Sequence, residues 1–426
     1  MSATPTNPAL PDALSMKEVL RIPVMRRLWY AQIVSTFGDF LALFAVIGIL
    51  TFGMGATPQQ VTGLQIAYLL PIAVLGILAG VFVDRWPLKP TMVSSDLLRA
   101  GLCLLLLAST RMWHFYAVLA AISVVSSFFG PAQGVAIRSA VPLHGLRSAN
   151  ALMQQVMFVT RIAGPAIASL LVASFGATSC YLADTASFIA SACLIASVAL
   201  TRPQQAAAAA ALQEQERKGL GSIWSDMKQG ISFIVHHAGL LFVILALASG
   251  MFVIGCFGPL IAIYVRDTVH ASTRVFGAAS AMVGFGILVG INLLNSLAKG
   301  VKNNILVYSG LSGIAAGLVM LTLLHFVWST ILGDFIIGFS VAGIIIPSQT
   351  MIQQETPPAL MGRVGSTVMS SVFTAQILGL VLSGILADRI GVRHVFAVCA
   401  VLLAVLILIG RFFMEPEGEP QPSEAI

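Results

Sequence analysis

Charged side chains are scarce: Asp, Glu, Lys and Arg make up 9% of the 426 residues, against 58% hydrophobic ones. A soluble domain carries about 25% charged residues, so a water-exposed surface of ordinary size is excluded. Cysteine is equally sparse. Cys103, Cys180, Cys193, Cys256 and Cys399 fall in or at the ends of apolar stretches without C-x-x-C spacing, and they read as small packing residues. The adjacent His236-His237 pair lacks the H-E-x-x-H pattern and an acidic partner at ligand spacing, so no metal site is expected. No G-x-x-x-x-G-K-[ST] run occurs, which argues against direct ATP hydrolysis. The formal charge of +6 is not gathered into basic blocks interleaved with aromatics, so nucleic acid is not an expected partner. No cofactor is implied, and clustered groups for enzyme chemistry are lacking.

Long apolar runs are what the chain has instead. Bounded by Gly, Pro and charge clusters, they predict membrane helices near 27–52, 60–83, 91–109, 114–137, 148–173, 178–200, 239–265, 274–298, 304–323, 327–352, 361–386 and 392–413. Each is long enough for the roughly 20 residues that cross a bilayer core. The fold class expected is an all-α membrane protein of about twelve helices, because lipid leaves no partner for the amides of open strands. The polar, Pro-containing first twenty residues have no apolar core before a small-residue cleavage site, so they do not read as a secretory signal.

Domain organisation follows from composition. A tail over 1–26 precedes a first six-helix bundle over 27–200, and a linker over 201–238 leads to a second bundle over 239–413. A Glu- and Pro-containing tail over 414–426 is expected to be disordered. The linker carries an alanine tract, then Ile223, Trp224, Met227, Ile231 and Ile234 at helical spacing, as in a helix lying on the membrane surface. Gly164-Pro165 through Phe175-Gly176 corresponds to Gly379-Leu380 through Ile390-Gly391, an offset of about 215 residues. Such a parallel repeat predicts two pseudo-symmetric halves. Most Lys and Arg, including Lys17, Arg26, Arg27, Lys89, Arg138, Arg147, Lys302 and Arg411, fall on one side of this topology, and Arg111, Arg266, Arg274, Arg389 and Arg393 on the other. Both ends of the chain are therefore expected in the cytoplasm, in the cell's inner membrane.

The loop Gly80-Val81-Phe82-Val83-Asp84-Arg85-Trp86-Pro87-Leu88-Lys89 resembles the G-x-x-x-D-R-x-G-R-R/K loop of the major facilitator superfamily. Pro87 and Leu88 stand where Gly and Arg are usual. Phe37-Gly38-Asp39, Ser95 through Ala100, Gly130-Pro131-Ala132, Ser148 through Leu152 and Gly164-Pro165-Ala166 are similar to the drug-exporter branch that includes macrolide and enterobactin exporters. The resemblance implies a monomeric, proton-coupled antiporter that exports small amphipathic molecules by alternating access. The related lysophospholipid translocases also resemble the Gly38-Asp39 region, and a membrane sensor that binds ligand without moving it is a third class.

Charges at membrane depth are the candidate coupling residues, since each costs several kcal/mol unless paired or neutralised. Asp39 and Arg161 lie at similar depth, and an Asp39–Arg161 pair serves either ion coupling or the bundle's structure. Asp334 in the tenth segment is a second candidate for a proton or cation. Asp96 and Arg99, at i and i+3, read as a structural pair, and Asp184 as a packing or hydrogen-bonding group. The resemblance implies a cavity lined by helices 1, 4, 7 and 10. Its candidates are Gln32 on the first, and Phe128, Phe129 and Gln133 on the fourth. Met251, Phe252 and Phe257 come from the seventh, Phe335 and Phe339 from the tenth; aromatics and Met suit varied amphipathic ligands, though each also packs helices. At the cytoplasmic end, Gly80, Asp84, Arg85, Lys89, Arg138, Gly362 and Arg363 are either a gate, with Asp84 at the start of the eleventh helix, or ordinary loop charge. Gly130-Pro131, Gly164-Pro165 and Gly258-Pro259 are bending points or tight crossings.

Overall fold

The computed structural model describes residues 14–83, 86–199, 231–297, 301–357 and 360–414. Twelve long helices are present among them. The first six are α1 (Pro23–Gly48), α2 (Pro58–Val83), α3 (Leu88–Leu105), α4 (Met112–Ala140), α5 (Leu146–Phe175) and α6 (Ala177–Ala196). The others are α7 (Ala238–Asp267), α8 (Thr273–Leu297), α9 (Asn303–Leu323), α10 (Val327–Glu355), α11 (Met361–Ile390) and α12 (Val392–Ile409). Eleven are long and apolar enough to cross a membrane, and α2 adds 26 residues without a charged side chain. No strand occurs among the described residues. The predicted spans match these helices to within a few residues, because apolar length alone fixes them.

Two details lie beyond hydropathy. The α1 rod ends in a π-helical turn, Ile49–Gly53, in which the Met54 amide donates to the Ile49 carbonyl at 2.9 Å. Before α1, a short helix Met16–Arg21 is started by a reciprocal Ser15–Glu18 cap. Those same Ser15 donors hold the exposed Glu18 carboxyl below its usual range. Of the linker, Ile231–Val235 are helical. The rest of 201–230, the tails over 1–13 and 415–426, and the gate residues Asp84 and Arg85 lie outside the described residues.

Contacts divide the chain into two compact units. The first comprises Met1–Ala42, Leu69–Thr160 and Tyr181–Gln213. Its apolar core joins Val19, Met25, Leu28, Met92, Ala136 and Leu152, so the short N-terminal helix is seated against α1, α3, α4 and α5. Arg27 reaches from α1 to the end of α6, donating to Ser197 Oγ at 2.6 Å.

The second unit comprises Leu43–Tyr68, Arg161–Cys180 and Glu214–Ile426. Small residues let its backbones touch. A methyl group on Gly338 of α10 would overlap the Val283 backbone of α8, and one on Gly379 of α11 would overlap the Phe252 backbone of α7, the close approach that glycine permits in membrane bundles. The α1–α2 turn is tied into this unit. Phe44 stacks on Phe276 with centroids 4.5 Å apart, and Arg266, at the end of α7, donates to the Thr51 and Ala56 carbonyls at 2.7 and 2.8 Å. Pro131, Pro165 and Pro259 each lie inside a continuous helix.

Candidate functional site

Among the described residues, a dense gathering of ionisable groups lies in the first unit, where α1, α3 and α6 meet. Asp96, Arg99 and Cys103 occupy positions i, i+3 and i+7 of α3, and Asp184, Ser187 and Ser191 repeat that spacing on α6. One face of each helix therefore carries three polar side chains. α1 comes close enough to complete the group. A methyl group on Gly38 would overlap Ser187 and Asp184, so only glycine at this position lets Asp39 stand beside the cluster.

Arg99 is the centre. Its guanidinium is ion-paired and hydrogen-bonded to Asp96, and its Nη1 lies 3.9 Å from Oδ2 of Asp39. Aromatic faces flank it, Phe129 at 4.6 Å and Phe188 at 4.4 Å from the guanidinium carbon, each a cation–π contact. Asp96 is fully buried and also accepts from Ser191 Oγ at 2.7 Å. Asp184, likewise buried, accepts from the Cys103 thiol at 3.2 Å and from Ser187 Oγ at 3.2 Å. Asp39 differs from both. Its side chain is 23% exposed, and no hydrogen bond to it is found among the described residues. Two carboxylates thus share one guanidinium with a third nearby, and the more accessible of the two is the less engaged.

The expected Asp39–Arg161 pair is replaced by Asp39–Arg99. Depth along a helix does not say which faces meet. Arg161, an exposed residue of the second unit, enters no ion pair among the described residues. Asp334 is fully buried in α10, and neither carboxylate oxygen has a hydrogen-bond partner among the described residues.

The cavity candidates separate into two sets. Gln133 donates to the Gln32 carbonyl oxygen at 2.7 Å, and Gln32 donates to Thr36, joining α1 to α4. Phe128 stacks on Trp86, centroids 5.6 Å apart. Met251 lines a small apolar recess with Leu247, Gly250, Ile314 and Ile344, while Phe335 and Phe339 form a half-buried aromatic run with Phe285. Two residues serve packing instead: Phe129 is spent on Arg99, and Phe257 is buried against Phe396 of α12. Phe252 is half-buried, with its backbone against Gly379. At the candidate gate, Arg138 is exposed and Lys89 half-buried; Gly80 lies in the last turn of α2, while Gly362 and Arg363 lie in the first turn of α11.

Sequence reasoning overlooked Ser187, Phe188 and Ser191 and treated Cys103 as packing. The matching i, i+3, i+7 spacing of Asp96, Arg99 and Cys103 and of Asp184, Ser187 and Ser191 was the available signal, and Phe188 falls outside it.

The fold is that of known transporters. The structure of a bacterial homolog of the human lysosomal transporter Spinster, inward-facing and unoccupied, superposes with a TM-score of 0.67 over 93% of this chain and 98% of that one, at 12% identity. Matched over most of its length by an MFS family model and by an MFS-type transporter, the chain is a multi-pass membrane transporter of the major facilitator class. Within that class it belongs to the transmembrane secretion effector family, whose model matches residues 15–425. Among its relatives, an uncharacterized MFS-type transporter of Bacillus subtilis (strain 168) is 27% identical, covering 89% of this chain and 90% of the relative. Macrolide efflux protein A of Streptococcus pyogenes is 26% identical, covering 90% and 94%.

Proposed function

We propose that this protein is a secondary active exporter of small amphipathic molecules, drug- or siderophore-like, coupled to protons by antiport across the cell's inner membrane. The observation that carries the reading is Asp39: a carboxylate in the first membrane helix, beside a cation, partly exposed and without a hydrogen bond among the described residues. Such a group can exchange a proton, or a cationic part of a substrate, at little structural cost. Likeness to a macrolide efflux protein supports export. Asp334, buried without a hydrogen-bond partner among the described residues, is the second candidate site for a proton, and Gln32, Gln133, Phe128 and Met251 the substrate contacts. Bundles over 27–200 and 239–413, with both ends cytoplasmic, work as a monomer by alternating access. Proteoliposomes holding the purified chain, given an imposed pH gradient and ethidium, test it. Accumulation that follows the gradient is expected, and flux indifferent to it refutes coupling.

The contacts of the α1–α2 turn act as the outer gate in this reading. Arg266 grips two backbone carbonyls there, each a charge-assisted hydrogen bond, although partial exposure of Arg266 reduces its strength. Arg266→Ala is expected to weaken the closed gate by about 1.5 kcal/mol, roughly tenfold in population. Labelling of Phe44→Cys by a membrane-impermeant maleimide should accelerate accordingly. An unchanged labelling rate removes Arg266 from the gate.

A further inference from the structure

We propose that Arg99 is a positioning residue handed between two carboxylates, Asp96 and Asp39, and that this handover sets the charge of Asp39. It deepens the reading of Asp39 as the coupling carboxylate and rests on it.

The geometry has one fixed end and one free end. Asp96 is anchored: one oxygen meets the guanidinium and the other accepts from Ser191. Asp39 is not anchored, since its oxygen lies 3.9 Å from Arg99 Nη1, beyond hydrogen-bond reach but short of it by only about 1 Å. Arg99 keeps donors in reserve. Its buried Nε has no acceptor among the described residues, which is a costly arrangement for a group that carries five N–H bonds. The rings of Phe129 and Phe188 lie over the guanidinium, so sliding in its plane is permitted and tipping out of it is resisted.

The titratable neighbours of Asp39 among the described residues can be named. α3 presents Asp96, Arg99 and Cys103, and α6 presents Asp184; α4 adds only the Phe129 ring. Arg99 is the sole cation of this cluster among the described residues. When Asp39 is ionised, the guanidinium is drawn toward it and shared. When a hydronium ion gives its proton to Asp39, one hydronium O–H bond breaks as the O–H bond on Asp39 forms, water is left behind, the attraction ends and Arg99 returns wholly to Asp96. No other bond is made or broken.

This differs from a structural ion pair in a testable way, because weakening either hold on the anchored end should move Asp39 in opposite senses. Asp96→Asn frees Arg99 for Asp39 and favours the ionised form. Ser191→Ala makes Asp96 depend more on Arg99, drawing it from Asp39 and favouring the protonated form. The measurement is pH-difference infrared spectroscopy of the purified full-length protein, following the carbonyl stretch of protonated Asp39, assigned by its loss in Asp39→Asn. The midpoint is expected to fall by about one pH unit in Asp96→Asn, tenfold in proton affinity, and to rise by about half a unit in Ser191→Ala. Unmoved midpoints, shifts of the same sign, or no Asp39 band overturn the handover. If Asp96→Asn fails to fold, the sign in Ser191→Ala decides alone. Opposed shifts in a protein that shows no gradient-driven export would leave the handover standing and refute the exporter reading; coupled export with an indifferent band would do the reverse.

Discussion

Replacing Asp39 by Asn is expected to abolish uphill export while leaving a folded protein that still lets substrate run downhill. Asn keeps the size of the side chain and its polarity but cannot carry the proton. With one proton exchanged per substrate, each pH unit across the membrane contributes about 1.4 kcal/mol, roughly a tenfold concentration ratio. The natural protein should reach that ratio in proteoliposomes under a one-unit gradient, and Asp39→Asn should stop near unity. Because Asp39 makes no hydrogen bond among the described residues and is partly exposed, its thermal unfolding should scarcely change. An Asp39→Asn protein that accumulates substrate as the natural one does would remove this residue from the coupling step.

Arg99→Ala is expected to do the opposite, with the larger effect on stability. Asp96 is fully buried and loses its cation, and breaking a buried ion pair from one side costs about 3–5 kcal/mol. The two aromatic contacts go as well, at about 0.5–2 kcal/mol each. Little folded protein should survive extraction, as judged by size-exclusion profile and melting temperature. Adding Asp96→Asn to Arg99→Ala should restore much of the loss, because the stranded carboxylate is then neutral. Equal melting temperatures for Arg99→Ala and the natural protein would show that the cluster tolerates an unpaired charge.

The helices were legible in the sequence because bilayer thickness demands long apolar runs, and nothing subtler is needed to find 327–352 or 392–413. Asp39 was legible as a candidate for the same reason: a carboxylate twelve or so residues into such a run stands out. Its partner was not. Arg161 has a matching depth, yet which faces meet is decided by small residues such as Gly38, which lets α1 close on Ser187 and Asp184. Asp96 and Arg99 could be paired from their spacing, but the same periodicity extends to Cys103, and its counterpart on α6 joins Asp184, Ser187 and Ser191. Aromatic residues were the least legible. Phe129 and Phe128 are neighbours in sequence, and one covers a guanidinium while the other stacks on Trp86.

The widened turn at Ile49–Gly53 gives the far end of α1 a particular vulnerability. It accommodates one more residue per turn than the rod below it, and the Thr51 carbonyl gripped by Arg266 lies within it. Length and angular phase are therefore linked here: removing a single residue from 49–53 would tighten the turn and swing that oxygen by about 100°, out of reach of its clasp. Side-chain replacements in this stretch leave the clasp intact, whereas a one-residue deletion breaks it without altering any charge.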